Sequence, residues 1–186
     1  MLFRSLLTLL AGIPSVVFGF WGLTVLVPLI ARFEPPGASL LAASLILTIM
    51  ILPTVALMSE AAINAVPESY ARCSAALGLS KDATIRKVIL PAAKSGIVAA
   101  VILATARALG ETMAVLMVSG NVVQTPTSIF EPIRTLTANI ALEMAYATQF
   151  HRSTLFVSGL VLTFVIAALA IAARRVEHRS GTGHAA

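Results

Sequence analysis

Apolar and polar residues fall in blocks along this chain. Long aliphatic runs over 6–31, 39–58, 95–118 and 154–173 are separated by shorter polar stretches. About 20 mostly apolar residues cross a bilayer's hydrocarbon core, so the pattern predicts an all-α membrane protein with about four transmembrane helices. They would form one membrane domain over 1–176, followed by a polar C-terminal tail over 177–186. The first run contains Gly12, Pro14, Gly19, Gly22 and Pro28, and the second contains Pro53. Membrane helices tolerate such breakers where neighbouring helices resatisfy the backbone. The first run also far exceeds the apolar core of a secretory leader, about 7–15 residues, and is read as a span.

The polar stretch 59–94 is itself helically patterned, with Ala71, Ala75, Ala76 and Leu77 beside Ser69, Arg72 and Ser74. Gly78 interrupts it, and a second helical stretch over 81–90 ends at Pro91. Helix, glycine turn, helix is a hairpin that either docks its apolar face into a partner's groove or simply connects two spans. The stretch 119–153, with Pro126 and Pro132, reads as an external loop carrying a short helix.

Composition sharpens this picture. The chain is 58% hydrophobic and 11% charged, against about 25% charged residues in a soluble domain. Its net charge of +5 does not imply nucleic acid, because the basic residues sort by loop. Arg72, Lys81, Arg86, Lys87 and Lys94 lie in 59–94, and basic loops face the cytoplasm. Four spans then put Arg4, Arg174, Arg175 and Arg179 on the same side, with both termini cytoplasmic, and Arg32, Arg134 and Arg152 outside. Cys73 is the single cysteine, so no intrachain disulfide forms, and His151, His178 and His184 have no metal-ligand spacing. Neither metal nor cofactor is expected. The phosphate-cradling run Gly-x-x-x-x-Gly-Lys-Ser/Thr is absent from the sequence, so the chain is expected to be a non-catalytic subunit that does not hydrolyse ATP itself.

One charged pair lies inside a span. Arg107 falls about 18 Å from either end of the run 95–118, near the midplane, and Glu111 is four residues on, hence expected on the same helical face. Arginine at the bilayer centre costs about 2.5–3.5 kcal/mol on insertion scales, and intramembrane charges mark pathways. A local ion pair returns only about 0.2–0.5 kcal/mol, and acid before base is the better order. The pathway reading is therefore preferred over local stabilisation. A guanidinium stays charged and presents a planar set of donors to anion oxygens, so Arg107 is the first candidate substrate contact, with Glu111 holding it when the path is empty. Thr112, Ser119, Asn121 and Asn139 either line a path or bond between helices; Met113 and Met117 read as packing.

The hairpin resembles the cytoplasmic coupling loop of ABC-importer permeases, which runs Glu-Ala-Ala, three residues, Gly, nine residues, Ile, one residue, Leu-Pro. Counting from Gly78 gives Val88, Ile89, Leu90 and Pro91, with Val for Ile. The acidic triplet's positions hold Arg72, Cys73 and Ser74, and Glu60-Ala61-Ala62 comes too early. Three further segments, 11–17 (AGIPSVV), 107–115 (RALGETMAV) and 134–144 (RTLTANIALEM), are similar to the PstC-type permease of the phosphate-specific ABC importer. That resemblance implies part of a type I ABC-importer permease bundle in the cytoplasmic membrane, translocating inorganic phosphate. It implies ATPase subunits coupled through Gly78, Val88, Leu90 and Pro91, a pathway at Arg107, Glu111 and Thr112, a homologous second permease and an external phosphate-binding protein. The resembling family usually has about two more spans at its N-terminus, so the start at Met1 is expected to be truncated or misassigned. Other readings are a PstA-type partner permease, a permease for molybdate or sulfate, a gradient-driven transporter or channel, and a non-transporting fragment.

Overall fold

The computed structural model describes residues 2–181, which are helical apart from connecting turns and the irregular segment 119–135, where Gly120 and Ile133 form an isolated bridge. Its helices are α1 (Leu2–Gly12), α2 (Ser15–Ala31), α3 (Leu40–Asn64), α4 (Glu68–Ala76), α5 (Lys81–Leu109), α6 (Met113–Val118), α7 (Leu136–Glu143) and α8 (Gln149–Gly181). Among the described residues α3, α5 and α8 are each long and apolar enough to span a membrane, and α1 with α2 makes a fourth candidate if the bent pair is one span.

The expected boundaries shift in four places. The run 6–31 is not one helix: α1 and α2 meet at 91°, because Pro14 has extended ψ of 140° and no N–H to continue the ladder. The second span overshoots 58 and reaches Asn64. The third starts at Lys81 and stops at Leu109, with Met113–Val118 a separate helix. The fourth extends over Gln149–Gly181, taking in the first part of the polar tail; residues 182–186 lie outside the described residues.

Pro91 does not end the hairpin's second helix either. A proline removes one ladder bond and its ring collides with the carbonyl four residues back. Here the chain widens to a π-turn over Ile85–Ile89, where the Leu90 N–H reaches the Ile85 carbonyl, and the helix passes through. The same device precedes Pro28, where Gly22–Leu26 is π-helical and the Val27 N–H donates to the Gly22 carbonyl.

The tightest core joins α2, α3 and α6: Phe18, Leu26, Ile30, Ala42, Ala43, Ile46, Met50, Ala114, Val115 and Val118 are buried together. Small residues allow the close approach that membrane helix packing relies on. The start of α3 is closed by the segment that follows α6. Its first N–H groups lack intrahelical acceptors, and here Leu40 donates to the Glu131 carbonyl (2.9 Å), Leu41 to that of Ile129 (2.8 Å) and Ala42 to the Ser39 hydroxyl (3.2 Å).

Candidate functional site

Two contacts fix the depth of Arg107. A side-chain carbon on Gly96 would lie 2.6 Å from the Ala62 Cβ, so the early part of α5 touches the end of α3. At the other end of α3, the Ser39 N–H donates to the Val118 carbonyl at 3.1 Å. The path from α5 into α6 is thus antiparallel to α3. At 1.5 Å per residue, Ala62 to Leu40 spans about 33 Å and Gly96 to Arg107 about 16 Å. Arg107 sits about halfway along the bundle.

Helix α5 ends immediately beyond it. The Gly110 N–H donates to the Arg107 carbonyl (3.2 Å) and that of Glu111 to Ala108 (3.1 Å), tightening the last turn. Chain direction is then reset by Glu111, whose carboxylate accepts from the Ala114 N–H at 3.1 Å and caps α6. Thr112 occupies the N-cap position, its hydroxyl donating to the Gly110 carbonyl at 3.3 Å. Glu111 therefore lies across a helix break from Arg107, and the expected same-face pair does not form. Gly110, which terminates helices readily, and a carboxylate at the next helix start, where the dipole favours it, explain the departure. Arg107 is exposed on this chain's surface and holds no ion pair or hydrogen bond from its side chain among the described residues.

A third element closes on the break. The Thr137 hydroxyl, in the first turn of α7, donates to the Glu111 carbonyl at 2.8 Å. Arg134, just before α7, donates to the Asn121 carbonyl (2.8 Å), Asn139 Oδ1 (3.1 Å) and Glu143 Oε1 (2.5 Å). Glu143 Oε2 also meets His151 Nε2 at 2.6 Å, tying α7 to α8. The hydrogen bond from His151 and the guanidinium of Arg134 hold the Glu143 carboxyl below the usual carboxylate range against the opposing effect of burial. Likewise the Thr127 backbone and hydroxyl donors lower Glu131 in the turn over α3.

Of the weaker polar candidates, Ser119 and Asn121 bond one another (3.2 Å), and Asn121 Nδ2 donates to the Leu116 carbonyl (2.7 Å). With Asn139 on Arg134, these residues tie the segment between α6 and α7 together. Met117 packs against the core, while Met113 is half exposed. Sequence reasoning singled out neither Thr137 nor the Arg134–Glu143–His151 cluster as a site, since no spacing signals contacts between residues on separate elements. Among the described residues no group of three or more His, Cys, Asp or Glu could hold a metal ion.

At the opposite end, Gly78 adopts φ +73° with open space about it, as a hairpin turn requires. The turn folds α4 against the start of α5 around an open apolar groove of about 300 Å³ lined by Tyr70, Cys73, Ser74, Leu77, Leu79 and Val88. Leu90 and Pro91 are exposed on α5 below it and do not line it. Arg72 pairs with Glu68 (2.6 Å) and Arg86 with Asp82 (2.9 Å), both exposed and worth little individually. Arg4 approaches Glu60 at 3.9 Å, so α1 begins at this same end of the bundle.

Residues 1–180 match the family described as binding-protein-dependent transport system inner membrane component. A probable ABC transporter permease protein, YqgH of Bacillus subtilis, is 47% identical over 163 residues, covering 86% of this chain and 53% of the relative. The phosphate transport system permease protein PstC of Mesorhizobium japonicum is 37% identical, with 93% of this chain and 61% of the relative covered. That of Xylella fastidiosa (strain Temecula1) is 35% identical, with 89% and 58% covered. The chain thus spans 53–61% of the length of these curated relatives. No solved structure matches it.

Proposed function

This chain belongs to the family of binding-protein-dependent transport system inner membrane components, and on that footing we propose that it is a permease subunit through which an ATP-driven importer passes inorganic phosphate. The observation that carries the reading is Arg107: a permanent cation about halfway through the bundle, exposed on this chain's surface, beside a helix break and without an acidic partner among the described residues. Such a charge is too costly in hydrocarbon to stand without protein, water or substrate around it. A second, homologous permease supplies the facing wall. Phosphate entering between the two accepts from the guanidinium, while Glu111, occupied with capping α6, leaves that guanidinium open. Movement of the Glu111 carboxylate onto Arg107 competes with the anion and releases it. Thr112, at the same break, lines the passage.

ATP is hydrolysed by partner ATPase subunits that engage the hairpin at Gly78 and Val88, with Leu90 and Pro91 at its base. An external phosphate-binding protein delivers substrate to the outer segment 119–153, which places the hairpin and both termini in the cytoplasm. The phosphate assignment is supported by relatives named as phosphate transport permeases at 37% and 35% identity. The 47% identical relative carries no substrate in its name, which favours testing molybdate and sulfate alongside.

The test is uptake in a phosphate-import-deficient host expressing this chain with the second permease, ATPase and binding protein. Arg107→Gln at normal abundance is expected to abolish phosphate uptake. Uptake at the level of the unchanged chain would overturn the pathway role, and preferential uptake of molybdate or sulfate would overturn the substrate.

A further inference from the structure

The break between α5 and α6 leaves backbone groups without helical partners at about the middle of the bundle, where water is scarce and an unpaired carbonyl is expensive. One of them, the Glu111 carbonyl, is met by a residue 26 positions away: Thr137, 8% exposed, at 2.8 Å. The Thr137 proton is committed to that carbonyl, so in its 3.1 Å contact with Thr135 Oγ1 the Thr135 hydroxyl is the donor. Thr135 Oγ1 also accepts from the Ala138 N–H, the capping bond of α7. A chain of hydroxyls thus runs from the start of α7 into the backbone of the residue whose carboxylate caps α6. Farther along α7, Glu143 holds both Arg134 and His151, so α7 cannot drift from the break without disrupting the contacts at its other end.

From this geometry we infer that Thr137 is a positioning residue for Glu111, fixing the carboxylate on α6 and away from Arg107. The inference rests on the transport reading for its consequence but not for its geometry. Thr137→Val and Thr137→Ala both remove the donor, the first with almost no change in volume, and Thr137→Ser keeps it. Loss of one bond to a part-buried carbonyl is of the size that changes an equilibrium about tenfold.

Two measurements decide it. Because Cys73 is the single cysteine, Cys73→Ser with Thr112→Cys gives a chain labelled only at the break. Its maleimide labelling in membranes is expected to rise about tenfold with Thr137→Val or Thr137→Ala and to stay unchanged with Thr137→Ser. In the same Cys73→Ser background, Ala99→Cys, at a position only 3% exposed on α5 away from the break, should stay poorly labelled in all three, which separates a local loosening from general unfolding. In the assembled importer, kcat for phosphate uptake is expected to fall about tenfold in the two hydroxyl-lacking variants and to be retained by Thr137→Ser. Unchanged labelling at position 112, equal loss in Thr137→Ser, or a matching rise at Ala99→Cys would overturn the inference. Because labelling requires no transport, wild-type uptake by both Arg107→Gln and Glu111→Gln would sink the pathway role of the break and leave the positioning role to the labelling result.

Discussion

Gly19 passes so close to Ala114 that a side-chain carbon on the glycine would lie 2.9 Å from the Ala114 Cα and 2.9 Å from the Met117 sulfur. This contact seats α2 against α6 at the densest part of the core. Backbone cannot withdraw as a long side chain can, so any substituent there must push the helices apart.

Gly19→Val is therefore expected to destabilise the folded bundle by about 1–3 kcal/mol, the usual range for overpacking. Thermal unfolding in detergent measures it, with Gly12→Val as the comparison, since nothing lies within 4 Å of a Cβ at Gly12. Equal midpoints would show that the contact relaxes without cost.

Arg107→Lys keeps the charge at the break but loses the planar fork that meets two anion oxygens at once. Phosphate uptake by the assembled importer is expected to drop about 10–100-fold, as for a lost charged hydrogen bond, and not to vanish as with Arg107→Gln. Full activity of the lysine variant would mean that charge alone serves.

At the hairpin, Gly78 has φ +73° and free space around it, so substitution acts through backbone strain without a steric clash. Gly78→Val forces a β-branched residue into the left-handed region at a cost of about 1–2 kcal/mol or more, whereas Gly78→Asn adopts it readily. Uptake per ATP hydrolysed should fall in the valine variant and persist in the asparagine one. Equal coupling ratios would remove the turn from the coupling route.

The Glu143 carboxyl is held below the usual carboxylate range, chiefly by its bond from His151. A group with a lowered folded pKa stabilises fully above its unfolded value, and that contribution disappears as pH falls through the lowered one. The α7–α8 tie should thus hold near neutrality, begin to weaken only below the usual glutamate pKa of about 4.3, and fail further into acid. Hydrogen exchange over 136–143, followed from pH 7 down to about pH 2.5 and corrected for intrinsic rates, should show protection lost only well into the acid range. In Glu143→Gln the acid-dependent part should be absent.

Much of this arrangement is legible in the residues themselves. Aliphatic runs about as long as a bilayer crossing or longer located α3, α5 and α8, and Gly78 between two helical patterns located the hairpin. The failures share one cause, namely that hydropathy ignores how the backbone is satisfied. Pro14 turns the chain by 91° while Pro91 leaves the helix running, and nothing in their apolar surroundings distinguishes them; the π-turn before Pro91 does. Likewise Gly110 and Glu111 sit inside an apolar run, so a count along the sequence keeps Arg107 and Glu111 on one helical face. The capping bond to Ala114 and the bond from Thr137 to Glu111 depend on where α6 and α7 lie, which no local spacing encodes.

The π-turn before Pro91 has a mechanical consequence. Without it the proline would sever the hairpin from the span, leaving a joint that absorbs motion. With it, Lys81–Leu109 is a single rod of 29 residues, about 43 Å long, bearing Val88 near one tip and Arg107 near the other. On the proposed coupling, thrust applied at the groove around Val88 would reach the Arg107 turn as displacement of that rod, which ends at Gly110, the step at which Glu111 departs from the helix.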